Sequence, residues 1–216
     1  MDMKILVVDD SERHQESARR LLGEKHDVTI VSNPDEAVEK LRTEYYDREK
    51  QAYLRRPFPY DAVLLDLLMP ATKAAMGDKG MHFVGQLMPY GYSLALFAIQ
   101  QGAPRVGILT EMNHHEHPMS AALDPLRESL GKVMKIGKSR FVLARELSVK
   151  LPVLPEKACG KCGGTGDIGT FEGNKPYQCY YCDGSKKESF AVKDWGKLLD
   201  ILTAQAAVNS DLDTAM

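Results

Sequence analysis

The chain has 216 residues, of which 44% are hydrophobic and 27% charged; Lys+Arg number 28 against Asp+Glu 30, a net charge of -2. This excludes wholesale disorder, and the charge balance excludes a chain built throughout as a polycation for nucleic acid or membranes. At roughly 150 residues per domain, the length fits one large domain, or one domain with a small module. The longest purely apolar run, Leu94 to Ile99, is too short to span a bilayer. The opening Met1-Asp2-Met3-Lys4, with an apolar run ending at Val8, does not form a signal peptide, so a cytoplasmic location without membrane contact is expected.

Lys4-Ile-Leu-Val-Val8 reads as a strand covered on both faces. Ser11 opens a helix whose apolar face is Ala18, Leu21 and Leu22, with Gly23 near its end. Val28–Val31 is a second strand. Asn33-Pro34-Asp35-Glu36 starts a second helix, and the charged, tyrosine-rich stretch 42–56 is expected to prolong it into solvent. Asp61-Ala-Val-Leu-Leu-Asp66 is the third strand. An irregular stretch runs from Met69-Pro70 to about Gly91, and Tyr92–Gln101 is an apolar helix stopped by Gly102 and Pro104. Arg105–Leu109 is the fourth strand, followed by Thr110, a polar loop through His114-His115-Glu116-His117, and a helix from about Met119 to Leu130. The fifth strand is either Lys132–Ile136 or Arg140–Ala144, and the more uniformly apolar second is preferred. A last helix presents Val192, Trp195, Leu198, Leu199 and Leu202.

Strands alternating with helices predict an α/β fold with a doubly wound, five-stranded parallel sheet. Such sheets place their sites beyond the carboxyl ends of the strands, which gathers Asp9, Asp10, Asp66 and Thr110 at one edge. Clustered carboxylates repel one another unless a cation joins them, and Mg²⁺ suits such oxygen donors. The pattern suits phosphoryl transfer: an aspartate attacks phosphorus, Thr110 donates to a phosphoryl oxygen, and a fifth-strand cation balances charge. For any one of these acids alone, a helix cap or turn is the simpler explanation.

The segments Lys4–Ser11, Asp61–Pro70 and Gly107-Ile-Leu-Thr110 together resemble the receiver domain of two-component response regulators. The resemblance covers the chain except a cysteine module and two insertions, near 42–60 and 71–91. It implies a flavodoxin-like strand order 2-1-3-4-5, with Asp66 as phosphoacceptor and Asp10 as direct Mg²⁺ ligand. Asp9 would lie nearby or act through water, the Leu68 carbonyl would be a further ligand, and Thr110 the switch hydroxyl. The family ends its fifth strand in Lys-Pro. Here Lys135 precedes Ile136 and Arg145 precedes Glu146, so either could be the cation, and neither is followed by proline.

All four cysteines lie between 159 and 182. Cys159-Gly-Lys-Cys162 and Cys179-Tyr-Tyr-Cys182 form two CxxC knuckles with sixteen residues between them, the pattern of a closed structural Zn²⁺ site rather than a disulfide framework. Cys162-Gly-Gly-Thr-Gly166 is similar to the zinc repeat of J-domain co-chaperones. The expected organisation is a receiver-like part over 1–156, an inserted zinc ribbon over 157–187, and a final helix and tail over 188–216. Lys161, Lys186 and Lys187 beside Tyr180 and Tyr181 could contact protein or nucleic acid; a solvated ribbon surface is the simpler reading. Consecutive residues such as His114 to His117 rarely converge on one ion, so a solvated loop is their default.

The expected function is a stand-alone receiver, phosphorylated on Asp66 with Mg²⁺ by a histidine kinase or phosphotransfer protein. Its output would pass through protein contacts, and any chemistry would be limited to phosphorylation and dephosphorylation of Asp66 itself. The alternative is a phosphorylation-independent binding module that uses the zinc ribbon on a receiver scaffold, for protein or nucleic acid. A metal-dependent phosphohydrolase is weaker, because Leu68 stands where a general acid would be needed.

Overall fold

The computed structural model describes residues 2–74, 76, 78–111, 118–121, 124–152, 158, 161, 165, 167–170, 176–178, 185 and 189–204, with backbone alone at 119, 120, 167–170, 176–178, 189 and 190. The chain divides into two compact units, Met1–Leu147 with Asp194–Met216, and Ser148–Lys193.

The first unit runs β1 (Lys4–Val8), α1 (Glu12–Leu22), β2 (Asp27–Val31), α2 (Pro34–Leu41), β3 (Glu44–Asp47), β4 (Ala52–Arg55), β5 (Ala62–Asp66), β6 (Met69–Pro70), β7 (Leu87–Met88), α3 (Tyr90–Gln101), β8 (Arg105–Thr110), α4 (Pro118–Ala121), β9 (Met134–Ile136) and β10 (Ser139–Arg145). In the second unit β11 (Ser148–Pro152) pairs antiparallel with β14 (Ser189–Lys193), and β12 (Asp167–Thr170) with β13 (Pro176–Gln178). The chain then returns to the first unit with α5 (Trp195–Thr203).

The central sheet has the order β2-β1-β5-β8-β10-β9. Its first five strands are parallel and follow the expected order. The sixth is a correction. Lys132–Ile136, the alternative to Arg140–Ala144 for the fifth strand, contains β9 at Met134–Ile136; the chain turns back at Gly137 (φ 59°), and β9 adds an antiparallel edge strand to β10.

Strand alternation divides the core between the two faces. Leu6, Val8, Val63, Leu65, Val106, Ile108, Phe141 and Leu143 pack with Ala37 and Leu41 of α2 and Leu94, Ala95 and Ala98 of α3. Ile5, Val7, Ala62, Leu64, Leu109, Val142 and Ala144 pack with Ala18 and Leu22 of α1 and Trp195, Leu198, Leu199 and Leu202 of α5. The sheet is therefore covered on both sides, which is why its strands read as unbroken apolar runs.

Three segments differ from expectation. The stretch after α2 does not prolong the helix. Arg42 turns extended (ψ 126°), and β3 and β4 form a hairpin whose tight turn is fixed by Asp47 Oδ1 accepting from Glu49 N (3.0 Å) and Lys50 N (3.1 Å). Tyr45, Tyr46 and Tyr53 favour strands over helix, and local propensity prevails at this exposed site. The single helix expected from Met119 is, among the described residues, one turn at Pro118–Ala121 and a 3₁₀ segment at Asp124–Ser129. Pro125 lacks an N–H, which weakens a regular α-helix here. Val192, assigned to the last helix, stands in β14, and the helix begins at Trp195 behind its Asp194 cap.

Other signals correspond directly. Asn33 Oδ1 accepts from Glu36 N at 2.9 Å ahead of Pro34, and Gly102 closes α3 in the left-handed conformation. On α1, Arg20 beside Glu16 holds that carboxyl below its ordinary range. None of the described helices is long and apolar enough to cross a membrane.

Candidate metal centre

The parallel register sets the site. Val8 pairs with Leu65, Asp66 with Leu109, and Thr110 with Arg145, so the residues that end β1, β5, β8 and β10 share one edge of the sheet. One carboxylate oxygen each of Asp9, Asp10 and Asp66 lies within 4.8 Å of the others. Asp9 is fully buried, Asp66 is buried at 9% exposure, and Asp10 is exposed. The cluster therefore has a solvent face and a protein face.

Backbone donors orient the two buried acids. Asp9 Oδ1 accepts from Ser11 N at 2.9 Å, its carbonyl accepts from Gln15 Nε2 at 2.8 Å, and its own N–H donates to Val31 O at 3.1 Å. The first turn of α1 thus holds Asp9, while Ser11 makes no side-chain cap. Asp66 Oδ1 accepts from Leu67 N at 2.7 Å. Leu68, the expected carbonyl ligand, follows within two residues and is itself buried.

Gly91, at the start of α3, packs directly against this segment. Its N–H donates to Leu67 O at 3.0 Å, and a Cβ there would lie 2.4 Å from Asp66 O and 2.7 Å from Leu67 Cα. The helix can approach the acceptor loop this closely only because residue 91 has no side chain. Its position was legible only as the end of an irregular stretch.

Thr110 is buried, and its carbonyl accepts from Glu146 N at 3.1 Å. Glu146 adopts φ 58°, unusual for a residue other than glycine. A proline at 146 could neither adopt that angle nor donate the bond, so the missing Lys-Pro pair has a structural reason here. Arg145 stands beside Thr110, with Nη1 3.9 Å from Asp124 Oδ1. Beside it lies an open cavity of about 330 Å³ lined by Leu130, Gly131, Ala144, Arg145, Glu146 and Leu147.

Lys135 is at the other end of the sheet. It pairs with Arg140, which pairs with Arg105, at the start of β8 and β10. Those five residues of strand put it roughly 16 Å from the acidic edge. Of the two candidate cations, only Arg145 is at the acidic edge.

Sequence reasoning missed a cluster next to the acids. Glu111, immediately after Thr110, has Oε2 2.9 Å from both Arg13 Nη2 and His14 Nε2. Glu111 could have been found by extending the strand-end rule by one residue. Cys159, Cys162, Cys179 and Cys182, and the loop His114 to His117, lie outside the described residues.

The donor set fits a hard divalent cation. All three ligand candidates are carboxylates, two are pre-oriented by backbone N–H groups, and one faces solvent where water can complete the shell.

No family model matches the chain, and no curated protein matches it. Among solved structures it is similar to the N-terminal domain of a response regulator/sensory box/GGDEF three-domain protein from Carboxydothermus hydrogenoformans (24% identity, 51% of this chain, TM-score 0.32), of which it spans 66%, just under two thirds. It is similar to a Francisella response regulator receiver domain at 17% identity, over 66% of this chain and 84% of the other, with TM-score 0.34. A response regulator of Thermotoga maritima in complex with Mg²⁺-BeF aligns at 20% identity, over 59% of this chain and 95% of the other, with TM-score 0.32. Likenesses this distant do not assign a function, which has to come from the chemistry of the site.

Proposed function

We propose that the chain is a receiver of the two-component type, with Asp66 as phosphoacceptor and Mg²⁺ held by Asp9, Asp10, Asp66 and the Leu68 carbonyl. A bound Mg²⁺ supplies charge neutralisation for the incoming phosphoryl group. An Asp66 oxygen forms the new O–P bond as the N–P bond to a phosphohistidine breaks, and the departing imidazole takes up a proton. The donor is a histidine kinase or phosphotransfer protein. Thr110 donates its hydroxyl to a phosphoryl oxygen, and Arg145 balances charge in place of the family's lysine. The new charge at Asp66 alters a docking surface for a downstream protein.

The observation that carries this reading is the convergence of Asp9, Asp10 and Asp66, far apart in the chain, within 4.8 Å at the edge that also holds Thr110. Its test is intact mass after incubation with acetyl phosphate and Mg²⁺. Wild-type protein should gain one phosphoryl group, and Asp66→Asn none. A wild-type chain that gains nothing overturns the reading.

The proposal extends to Zn²⁺ on Cys159, Cys162, Cys179 and Cys182, supported by the spacing of the two CxxC knuckles in 157–187. Metal analysis of purified protein should find one zinc per chain, lost in Cys159→Ser with Cys182→Ser.

A further inference from the structure

We infer that Glu111 is a coupling residue outside the acidic pocket: gripped by Arg13 and His14 of α1, it ties the segment leaving Thr110 to the helix that follows Asp10, and links pocket occupancy to Trp195 in α5. The inference rests on the pocket taking a divalent cation, as proposed above.

His14 is the junction. Its side chain is 4% exposed, and Nε2 lies 2.9 Å from Glu111 Oε2 and 3.2 Å from Arg13 Nε. Arg13 Nε–H donates to His14 Nε2, so the imidazole, the guanidinium and the Glu111 carboxylate form one cluster. Arg13 grips Glu111 directly through Nη2 at 2.9 Å, but its side chain is 58% exposed, so solvent screens that arm. The buried His14 arm is shielded from solvent and is the firmer of the two.

Through the backbone of His14, this clamp meets both the pocket and α5. Asp9 Oδ1 accepts from Ser11 N (2.9 Å), Ser11 O accepts from His14 N (3.0 Å), and His14 O accepts from Trp195 Nε1 (3.0 Å). An unbroken series of hydrogen bonds thus links a pocket carboxylate to a fully buried indole. The other pocket wall, β8 with Thr110, joins the same point through Glu111. A cation held by Asp9 and Asp10 pulls on the β1 wall and the first turn of α1, and Glu111, anchored behind Thr110 on β8, holds the His14 ring against that pull.

The chain has one tryptophan, so its emission reports this point alone. The full-length protein is titrated with Mg²⁺, then with Mg²⁺ and beryllofluoride, following Trp195 emission with calorimetry in parallel. Wild type should show a saturable emission change whose midpoint matches calorimetric Mg²⁺ binding. Glu111→Gln should bind Mg²⁺ within about threefold of wild type, because it removes no ligand, yet lose at least about half of the emission change. Arg13→Gln, which removes the more exposed arm, should lose about a third. The inference is overturned if Glu111→Gln keeps the full change, or if it loses the change only together with Mg²⁺ affinity. Should Glu111→Gln not fold, Arg13→Gln decides, and a response identical to wild type overturns the inference. Absence of calorimetric Mg²⁺ binding by the wild type overturns the pocket reading itself; binding without any emission change overturns the coupling alone.

Discussion

At the carboxyl end of the sheet Asp9, Asp10 and Asp66 bring oxygens within 4.8 Å of one another, whereas at the amino end Lys135, Arg140 and Arg105 stand in one row across β9, β10 and β8. Both are concentrations of like charge, handled differently. The cations extend outward to backbone carbonyls: Arg140 Nη2 donates to Ala204 O just beyond the C-terminus of α5, and Arg105 Nη1 donates to Asp61 O at 3.3 Å. A cation beside the last carbonyls of a helix is favourable, so that row helps to hold α5 in place. The acids instead are drawn inward, two of them buried and fixed by backbone N–H groups. Charge spread onto carbonyls stabilises the fold; charge concentrated in one corner, with two of its three acids buried, is an arrangement that a bound cation would relieve.

The contrast can be broken most severely at Gly91. Gly91→Ala drives a methyl into the Asp66 carbonyl and the Leu67 backbone, neither of which is a flexible side-chain end. A loss of about 3 kcal/mol is expected in urea unfolding, with phosphoryl acceptance lost as well. A smaller effect of opposite sign is expected at the acids. In chelator, Asp66→Asn should stabilise the protein by about 1 kcal/mol, because it relieves like-charge repulsion. With Mg²⁺ at 100 times its dissociation constant, wild type should gain about 2.7 kcal/mol and Asp66→Asn much less. Thermal melts in the two buffers distinguish these outcomes. At the opposite edge, Arg140→Gln should cost about 1 kcal/mol whether Mg²⁺ is present or not, because it loses the bond to Ala204. If neutralising Arg140 stabilised the protein as Asp66→Asn does, the two edges would be equivalent after all.

Much of this architecture was readable before any coordinates. The five parallel strands show as apolar runs because both faces are buried, and the acids stand out because Asp9-Asp10 and Asp66 close such runs. What failed was governed by local or long-range competition. The hairpin of β3 and β4 was hidden because a charged, tyrosine-rich stretch fits an exposed helix as well as an exposed ribbon. The edge strand β9 is hidden because Lys132–Ile136 and Arg140–Ala144 compete for one fifth position in a five-stranded sheet, whereas the turn at Gly137 lets both pair. Arg145 and Lys135 were indistinguishable as candidate cations until register placed them at opposite ends. His14, Arg13 and Glu111 carry no motif, and only the folding of β8 beside α1 brings them together.

The position of α5 in the chain has a consequence for biosynthesis. This helix covers Ile5, Val7, Leu64, Leu109, Val142 and Ala144, yet it is encoded after Ser148–Lys193. A nascent chain that has just completed β10 therefore leaves the part of this face not covered by α1 open until the intervening segment has been translated and the last turn arrives. Ribosome-stalled fragments ending near Leu147 should be the aggregation-prone species, and holdase capture should fall once Leu202 has cleared the exit tunnel.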